Sequence, residues 1–266
     1  MELSVEPGES RRSEFVSVVA RTEPGGRSLG YAQAVRRPRG WSLEVVLDPR
    51  PPAPAEPVRA ELIRAALAAA TAHGAEEVTL WEPRPTPEHD AAAEAAGLTA
   101  IRDLLQMRRP LPAGAEWSVE VRPFVAGRDE DAWLTVNNRA FAEHPEQGAW
   151  DRAALEEVLA EPWFDPGGFL LHEVDGELAG FCWTKVHPDE RPPLGEIFVI
   201  AVDPAFGGRG LGRELTLAGL DHLCERGLTV GMLYVDASNR RALKMYEDLG
   251  FVVDHIHRGY SRPAAA

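Results

Sequence analysis

Four glycines set between an apolar strand and an amphipathic helix constrain this chain more than any other feature. The run Glu196-Ile-Phe-Val-Ile-Ala-Val-Asp-Pro-Ala-Phe-Gly-Gly-Arg-Gly-Leu-Gly-Arg213 starts as a strand over 197–202. Asp203-Pro204 ends it, because proline offers no N–H to a ladder. Gly207, Gly208, Gly210 and Gly212 follow, and apolar residues at 211, 215, 217, 220 and 223 predict a helix over 211–223. Glycines placed there let backbone N–H groups converge on one point, and the helix N-terminus adds partial positive charge. Arg209 and Arg213 bring full charges, so the loop suits a pyrophosphate. A tight turn without a ligand is the simpler alternative for the glycines alone.

The same order of elements is written twice, at a spacing of roughly 150 residues. In the first half, strands over 28–35 and 42–49 lead to a helix over 58–73, a strand over 78–81, a helix over 88–96 and a strand ending near Met107. In the second, strands over 177–186 and 196–204 lead to the long helix, a strand over 231–235, a helix over 239–249 and a strand toward Tyr260. Asp48-Pro49 matches Asp203-Pro204, and Gly97-Leu98 matches Gly250-Phe251. Where the second copy has glycines, the first has Arg50-Pro-Pro-Ala-Pro-Ala-Glu-Pro57, whose prolines lack N–H donors for a phosphate. Little chain precedes its first strand, whereas helical patterns over 129–142 and 151–159 precede the second copy. The first copy therefore reads as trimmed, kept for packing or for walling a cleft. The aperiodic, Pro- and Gly-containing stretch 108–116 is the boundary, which gives domains over 1–112 and 113–266.

Twenty-eight Lys and Arg face 42 Asp and Glu, a formal charge of −14. Such a chain has no general attraction to nucleic acid or anionic lipid. This makes the bases Arg209, Arg213, Arg240, Arg241 and Lys244 stand out, clustered at two predicted helix starts; five solvated side chains are the bland alternative. No uninterrupted apolar run is long enough to span a bilayer, and residues 1–15 carry no apolar signal core. Cys182 and Cys224, the two cysteines, lie in apolar segments and read as reduced core residues, as in a cytoplasm. No His, Cys, Asp or Glu cluster has metal-ligand spacing, and no Gly-x-Ser-x-Gly elbow is present.

The order strand, glycine loop, helix, strand, then Asn239-x-x-Ala242-x-x-x-Tyr246-x-x-x-Gly250-Phe251, resembles the GCN5-related N-acetyltransferase superfamily, well over 117–260 and faintly over 14–109. The superfamily's Gln/Arg-x-x-Gly-x-Gly/Ala loop falls on Gly207-Gly-Arg-Gly-Leu-Gly212, with Gly207 departing at the first position. The resemblance implies an α/β fold, in detail the α+β mixed-sheet acetyltransferase fold in two tandem copies. It also implies acetyl-CoA as donor. The backbone of Ile200, Ala201 and Val202 would pair with the pantetheine arm. The pyrophosphate would rest on Gly207, Gly208, Arg209, Gly210, Leu211, Gly212 and Arg213, while Asn239, Arg240, Arg241, Ala242, Leu243 and Lys244 would flank the thioester end. Asn138-x-x-Phe141-x-x-His144-Pro-Glu-Gln-Gly148-x-Trp150, Pro162-Trp-Phe-Asp-Pro166, Phe181-x-Trp183-Thr-Lys185-Val-His187 and Gly195-Glu196 resemble, more narrowly, the mycothiol synthases.

That narrower likeness implies transfer of acetyl to the cysteinyl amine of a glucosaminyl-inositol. An ammonium cannot attack a thioester, so a base must first take its proton. Glu196, at the head of the strand leading to the loop, is the candidate base, and a solvated strand-start glutamate is the alternative. Tyr246 is the candidate acid for the departing thiolate, against a plain core tyrosine. By resemblance Lys185 and Glu146 would bond the sugar or inositol hydroxyls, and Tyr234 would face the substrate. His187, before Pro188, reads as a turn residue. The expectation is an acetyl-CoA-dependent N-acetyltransferase with a small-molecule amine as partner. It would be cytoplasmic and monomeric, without metal, nucleic acid or membrane. The rivals are an acetyltransferase for another amine or protein N-terminus, and an idle acyl-CoA-binding module.

Overall fold

The computed structural model describes residues 4–7, 15–36, 40–49, 55–142 and 147–262. They fall into two compact units. The first lies within Met1–Leu105, with Asp236–Ser238 and His255–Ala266; the second comprises Gln106–Val235 and Asn239–Asp254.

In the first unit β1 (Ser4–Pro7), β2 (Phe15–Arg21), β3 (Ser28–Arg36) and β4 (Trp41–Leu47) form an antiparallel meander. Helix α1 (Ala55–Ala72) then crosses over to β5 (Val78–Pro83), which runs parallel to β4 with Leu43 beside Leu80. Helix α2 (Pro87–Ala95) and β6 (Thr99–Pro110) follow, and the chain's last strand, β12 (Val252–Ser261), pairs antiparallel with β5. The apolar stripe of α1, Val58, Leu62, Ile63, Ala66, Leu67 and Ala70, is buried with Val16, Val18, Leu29, Ala32 and Leu43. On the opposite face Tyr31 and Val46, direct cross-strand partners, stay 42% and 44% exposed. Two readings change here. Pro57 belongs to the first turn of α1, where a missing N–H costs no intrahelical bond, rather than to a loop; residues 50–54 lie outside the described ones. Residues 108–110, read as boundary, are the end of strand β6.

The second unit adds β7 (Arg122–Pro123), α3 (Glu130–Ala140), α4 (Arg152–Leu159), β8 (Phe169–Val174), β9 (Glu177–His187), β10 (Leu194–Val202), α5 (Leu211–Glu225), β11 (Val230–Asp236) and α6 (Arg240–Asp248). Strands run β7-β8-β9-β10-β11-β6, with β8, β9 and β10 antiparallel and β11 parallel to β10. The β8–β9 hairpin closes on Asp175 and Gly176, both at positive φ (53° and 82°), as a two-residue turn matched to strand twist demands. One sheet face meets α5 so closely that a side chain at Gly219 would collide with Cys182 Sγ. The other carries Phe169, Phe181, Trp183 and Val199, buried with Trp133 of α3 and Leu155 of α4. Trp183 stacks on Phe169 at 4.2 Å between centroids.

Candidate active site

Strand β10 changes neighbours part-way along. From Gly195 to Ile197 it pairs with Gly231 to Leu233 of β11, and there that register ends. A bulge at Phe198 shifts its pairing with β9, which then continues through Val202. Beyond the bulge, one edge of β10 therefore has no partner in β11, and its backbone groups need bonds from elsewhere.

A cavity of about 740 Å³ opens along this stretch. Ile200, Ala201 and Val202 form one wall, and Gly207, Gly208, Gly210, Leu211, Gly212 and Arg213 close the end at the α5 N-terminus. Gly208 and Gly210 both sit at φ 78°, the left-handed region that side chains disfavour. Gly210 is the N-cap of α5, and no side chain caps the helix. The Arg213 amide turns back to the Gly210 carbonyl at 3.0 Å, and the amides ahead of it at the helix start are left for a ligand, with the helix dipole behind them. Arg213 and Arg241 are the cavity's guanidinium groups. The site suits a long, narrow, doubly anionic ligand with an amide-bearing arm.

Twelve of the residues expected from sequence line this cavity: those of the β10 wall, the loop and first turn as far as Arg213, and Asn239, Arg241 and Ala242 from α6, with Arg209 missing from the set. Asn239 caps α6 by accepting from the Ala242 amide at 3.1 Å. Arg209 instead lies over the Phe206 ring, 5.4 Å from its centroid. Lys244 pairs with Asp248 one turn along its own helix. Leu243 is buried in the core and Arg240 is exposed; neither lines the cavity. Sequence reasoning missed Ala140, Phe141, Pro204, Phe206 and Met245. Met245 could have been found, since it lies three residues after Ala242 on the same helix face.

Upstream of the bulge, polar groups gather on the Trp183 face. Lys185 and Glu196 are direct partners across the β9–β10 ladder. The Glu196 carboxylate is 9% exposed, and its Oε2 lies 2.7 Å from Nε2 of His187. His187 is therefore not a turn residue. It is the last residue of β9, held extended because the residue before a proline avoids helical backbone. Tyr234, on β11, accepts a hydrogen bond from Gln106 Nε2 at 2.7 Å, and Gln106 accepts in turn from Arg108. Burial pushes the Tyr234 phenol up, and the charge of Glu196 adds to the rise.

Lys185 leans over Trp163 at 4.2 Å and Phe198 at 5.3 Å. The conspicuous aromatic motifs prepare this floor. Trp163 and Phe164 pack on Trp183, and Trp150 packs on Trp133 and Trp183. Asn138 staples the chain at Trp150, giving to its carbonyl at 2.7 Å and accepting from its amide at 3.1 Å. Glu146 lies outside the described residues.

Tyr246 faces inward from α6, packed edge-on against Phe251 at 5.7 Å and buried. Burial pushes its phenol far up, and proximity to Cys182 adds to this. Among the described residues its hydroxyl has no hydrogen-bond partner. It does not line the cavity, although its neighbour Met245 does. Cys182 is fully buried and Cys224 half-buried, both free thiols. Among the described residues no group of three His, Cys, Asp or Glu side chains could hold a metal, and no helix is long and apolar enough to cross a membrane.

The acetyltransferase (GNAT) family matches residues 133–251, which span the aromatic floor, the glycine loop and α6. A mycothiol acetyltransferase of Acidimicrobium ferrooxidans is 44% identical over 264 residues, covering 96% of this chain and 85% of that one. The chain belongs to the mycothiol acetyltransferase family. It is an acetyl-CoA-dependent N-acetyltransferase with a mixed α/β fold. A solved GCN5-related N-acetyltransferase of Sphaerobacter thermophilus is 25% identical with a TM-score of 0.74, covering 97% of this chain and 84% of that one. A tandem GNAT protein from the clavulanic acid pathway shares the fold at 18% identity and a TM-score of 0.62, over 95% of this chain and 83% of its own.

Proposed function

We propose that this enzyme acetylates the cysteinyl amine of cysteinyl-glucosaminyl-inositol, the last step of mycothiol synthesis. The relatives' shared name supports the acceptor. The observation that carries the chemistry is the nearly buried Glu196 carboxylate, on the strand that leads straight into the cavity wall and across the ladder from Lys185.

In this reading the pyrophosphate of acetyl-CoA rests on the amides after Gly207 and on Arg213. The pantetheine arm bonds the freed edge of Ile200–Val202. Glu196 takes the proton of the acceptor's ammonium, directly or through water, and the free amine attacks the thioester carbonyl. An amino-acid α-amine, with a pKa of about 8, is within reach of such a base. Tyr246, kept protonated by burial, gives its proton to the leaving thiolate. Lys185, Tyr234 and Glu146 bind the sugar and inositol hydroxyls. The acidic surface fits a partner that is neither nucleic acid nor membrane, and a site assembled within one unit fits a monomer working in the cytoplasm where acetyl-CoA is made.

The deciding experiment follows CoA thiol release with cysteinyl-glucosaminyl-inositol, free cysteine and a peptide N-terminus as rival acceptors. Preference for the cysteinyl sugar by at least an order of magnitude in kcat/KM is expected. Equal use of free cysteine would remove the sugar from the assignment.

A further inference from the structure

Glu196 does not stand alone: His187 Nε2 lies 2.7 Å from its Oε2, and both belong to the β9–β10 hairpin. A carboxylate on a strand has freely turning side-chain torsions and two equivalent oxygens. A single donor fixed by the backbone removes that freedom, and Pro188 fixes the backbone of His187. We infer that His187 is the positioning residue of the acid–base step, donating its Nε2–H to Oε2 of Glu196 so that the other oxygen, Oε1, receives the acceptor's proton. The inference rests on Glu196 being the base.

The proton balance is simple. The N–H bond of the ammonium breaks and an O–H bond forms on Oε1; the Nε2–H bond of His187 stays intact throughout. His187 thus holds the base without handling the transferred proton. It must be neutral in the working state, because an imidazolium at this distance stabilises the ionised carboxylate and weakens it as a base. Other charges reach the same cluster: Lys185 beside Glu196 on β9, Glu190 in the hairpin turn, Tyr234 on β11, and Arg108 through Gln106 on β6.

The experiment compares His187→Ala, His187→Gln, Glu196→Gln and the double variant His187→Ala/Glu196→Gln, as full chains. Acetyl-CoA and cysteinyl-glucosaminyl-inositol serve as substrates, with kcat and both KM values measured. His187→Ala is expected to lower kcat about 10- to 100-fold with the acetyl-CoA KM unchanged, the usual cost of a misplaced catalytic group. His187→Gln, a neutral donor of similar reach, is expected to recover most of that loss. In the Glu196→Gln background, His187→Ala is expected to cost nothing further. Full turnover by His187→Ala, additive losses in the double variant, or no recovery in His187→Gln would each overturn the inference. A fully active Glu196→Gln would instead overturn the base assignment beneath it, so the two failures are told apart.

Discussion

Lys185 and Glu196 stand opposite each other on one face of the β9–β10 ladder, yet the lysine ammonium turns onto the Trp163 ring at 4.2 Å. A cation held over an aromatic face keeps its hydrogen-bond donors outward, which is what recognition of sugar hydroxyls requires. Trp163→Leu is expected to raise the KM for the cysteinyl sugar several-fold while the acetyl-CoA KM holds. The contact contributes on the order of 0.5–2 kcal/mol. Steady-state kinetics with each substrate varied in turn decide this; equal rises in both KM values would make Trp163 a general packing residue.

The glycine loop makes a sharper prediction. Gly210 sits at φ 78° in open space, so a Cβ there meets no atom within 4 Å and the cost is backbone strain alone. Gly227, at φ 82° and equally open, lies far along the chain in the turn after α5 and provides the matched control. A β-branched residue at either position strains the left-handed backbone by roughly 1–3 kcal/mol. Gly210→Val is expected to abolish acetyl-CoA binding by calorimetry, whereas Gly227→Val loses similar stability and binds normally. If both variants bind alike, the Gly210 amide geometry is not what holds the donor.

Much of this was readable from the chain, and for a physical reason. Strand-loop-helix punctuation is local: Asp203-Pro204, the glycines and the 3.6-residue stripe of α5 each act within a few residues of themselves. The cavity wall and loop were legible for that reason. What stayed hidden depends on contacts distant in sequence. His187 looked like a turn because its partner Glu196 lies nine residues away across a hairpin. Lys244 read as flanking the thioester end until its Asp248 pair was visible. The Asn138 and Trp163 motifs carried the family likeness, but only packing shows that they build a floor of stacked rings. Strands β1, β2, β7 and β8 were not anticipated; β7 is two residues long, and buried β8, Phe-Leu-Leu-His-Glu-Val, lacks the alternation that marks a half-exposed strand.

Tyr246 permits a clean separation of chemistry from stability. Its hydroxyl has no hydrogen-bond partner among the described residues, so Tyr246→Phe keeps the packing on Phe251 and leaves no group unsatisfied. The variant is expected to match the parent in thermal stability at neutral pH while kcat falls about 10²-fold or more. The raised phenol pKa has a further consequence. A group whose folded pKa lies above its unfolded value contributes stability that is present below the unfolded pKa, near 10 for tyrosine, and is lost as pH rises toward the folded one. Melting curves between pH 9 and 11 should therefore show less alkaline destabilisation for Tyr246→Phe than for the parent. Identical alkaline slopes would mean that the phenol is not the group that titrates.

Acid stability is set elsewhere in the second unit, at Asp129. Burial pushes this carboxyl up, but hydrogen bonds from Arg122, Arg128 and the Val125 amide outweigh burial and hold it well below the usual carboxylate range. Arg122 also pairs with Glu173 on β8, so one guanidinium ties β7 and the turn before α3 to the sheet edge. A carboxyl depressed in the folded state contributes stability present above its unfolded pKa, about 3.9, and lost as pH falls through the folded value. Arg122→Leu leaves a carboxylate that is almost fully buried with Arg128, itself half exposed, as its remaining ion-pair partner. The expected loss is about 1–3 kcal/mol at pH 7, less than for a fully buried pair because Arg122 is one-third exposed. The deficit should shrink below pH 4, where the unfolded chain's aspartate is protonated and the parent itself begins to lose the contribution. Urea titrations of both proteins at pH 7 and pH 3.5 test this directly, and a pH-independent deficit would assign the effect to lost packing of the arginine stem instead of to its charge.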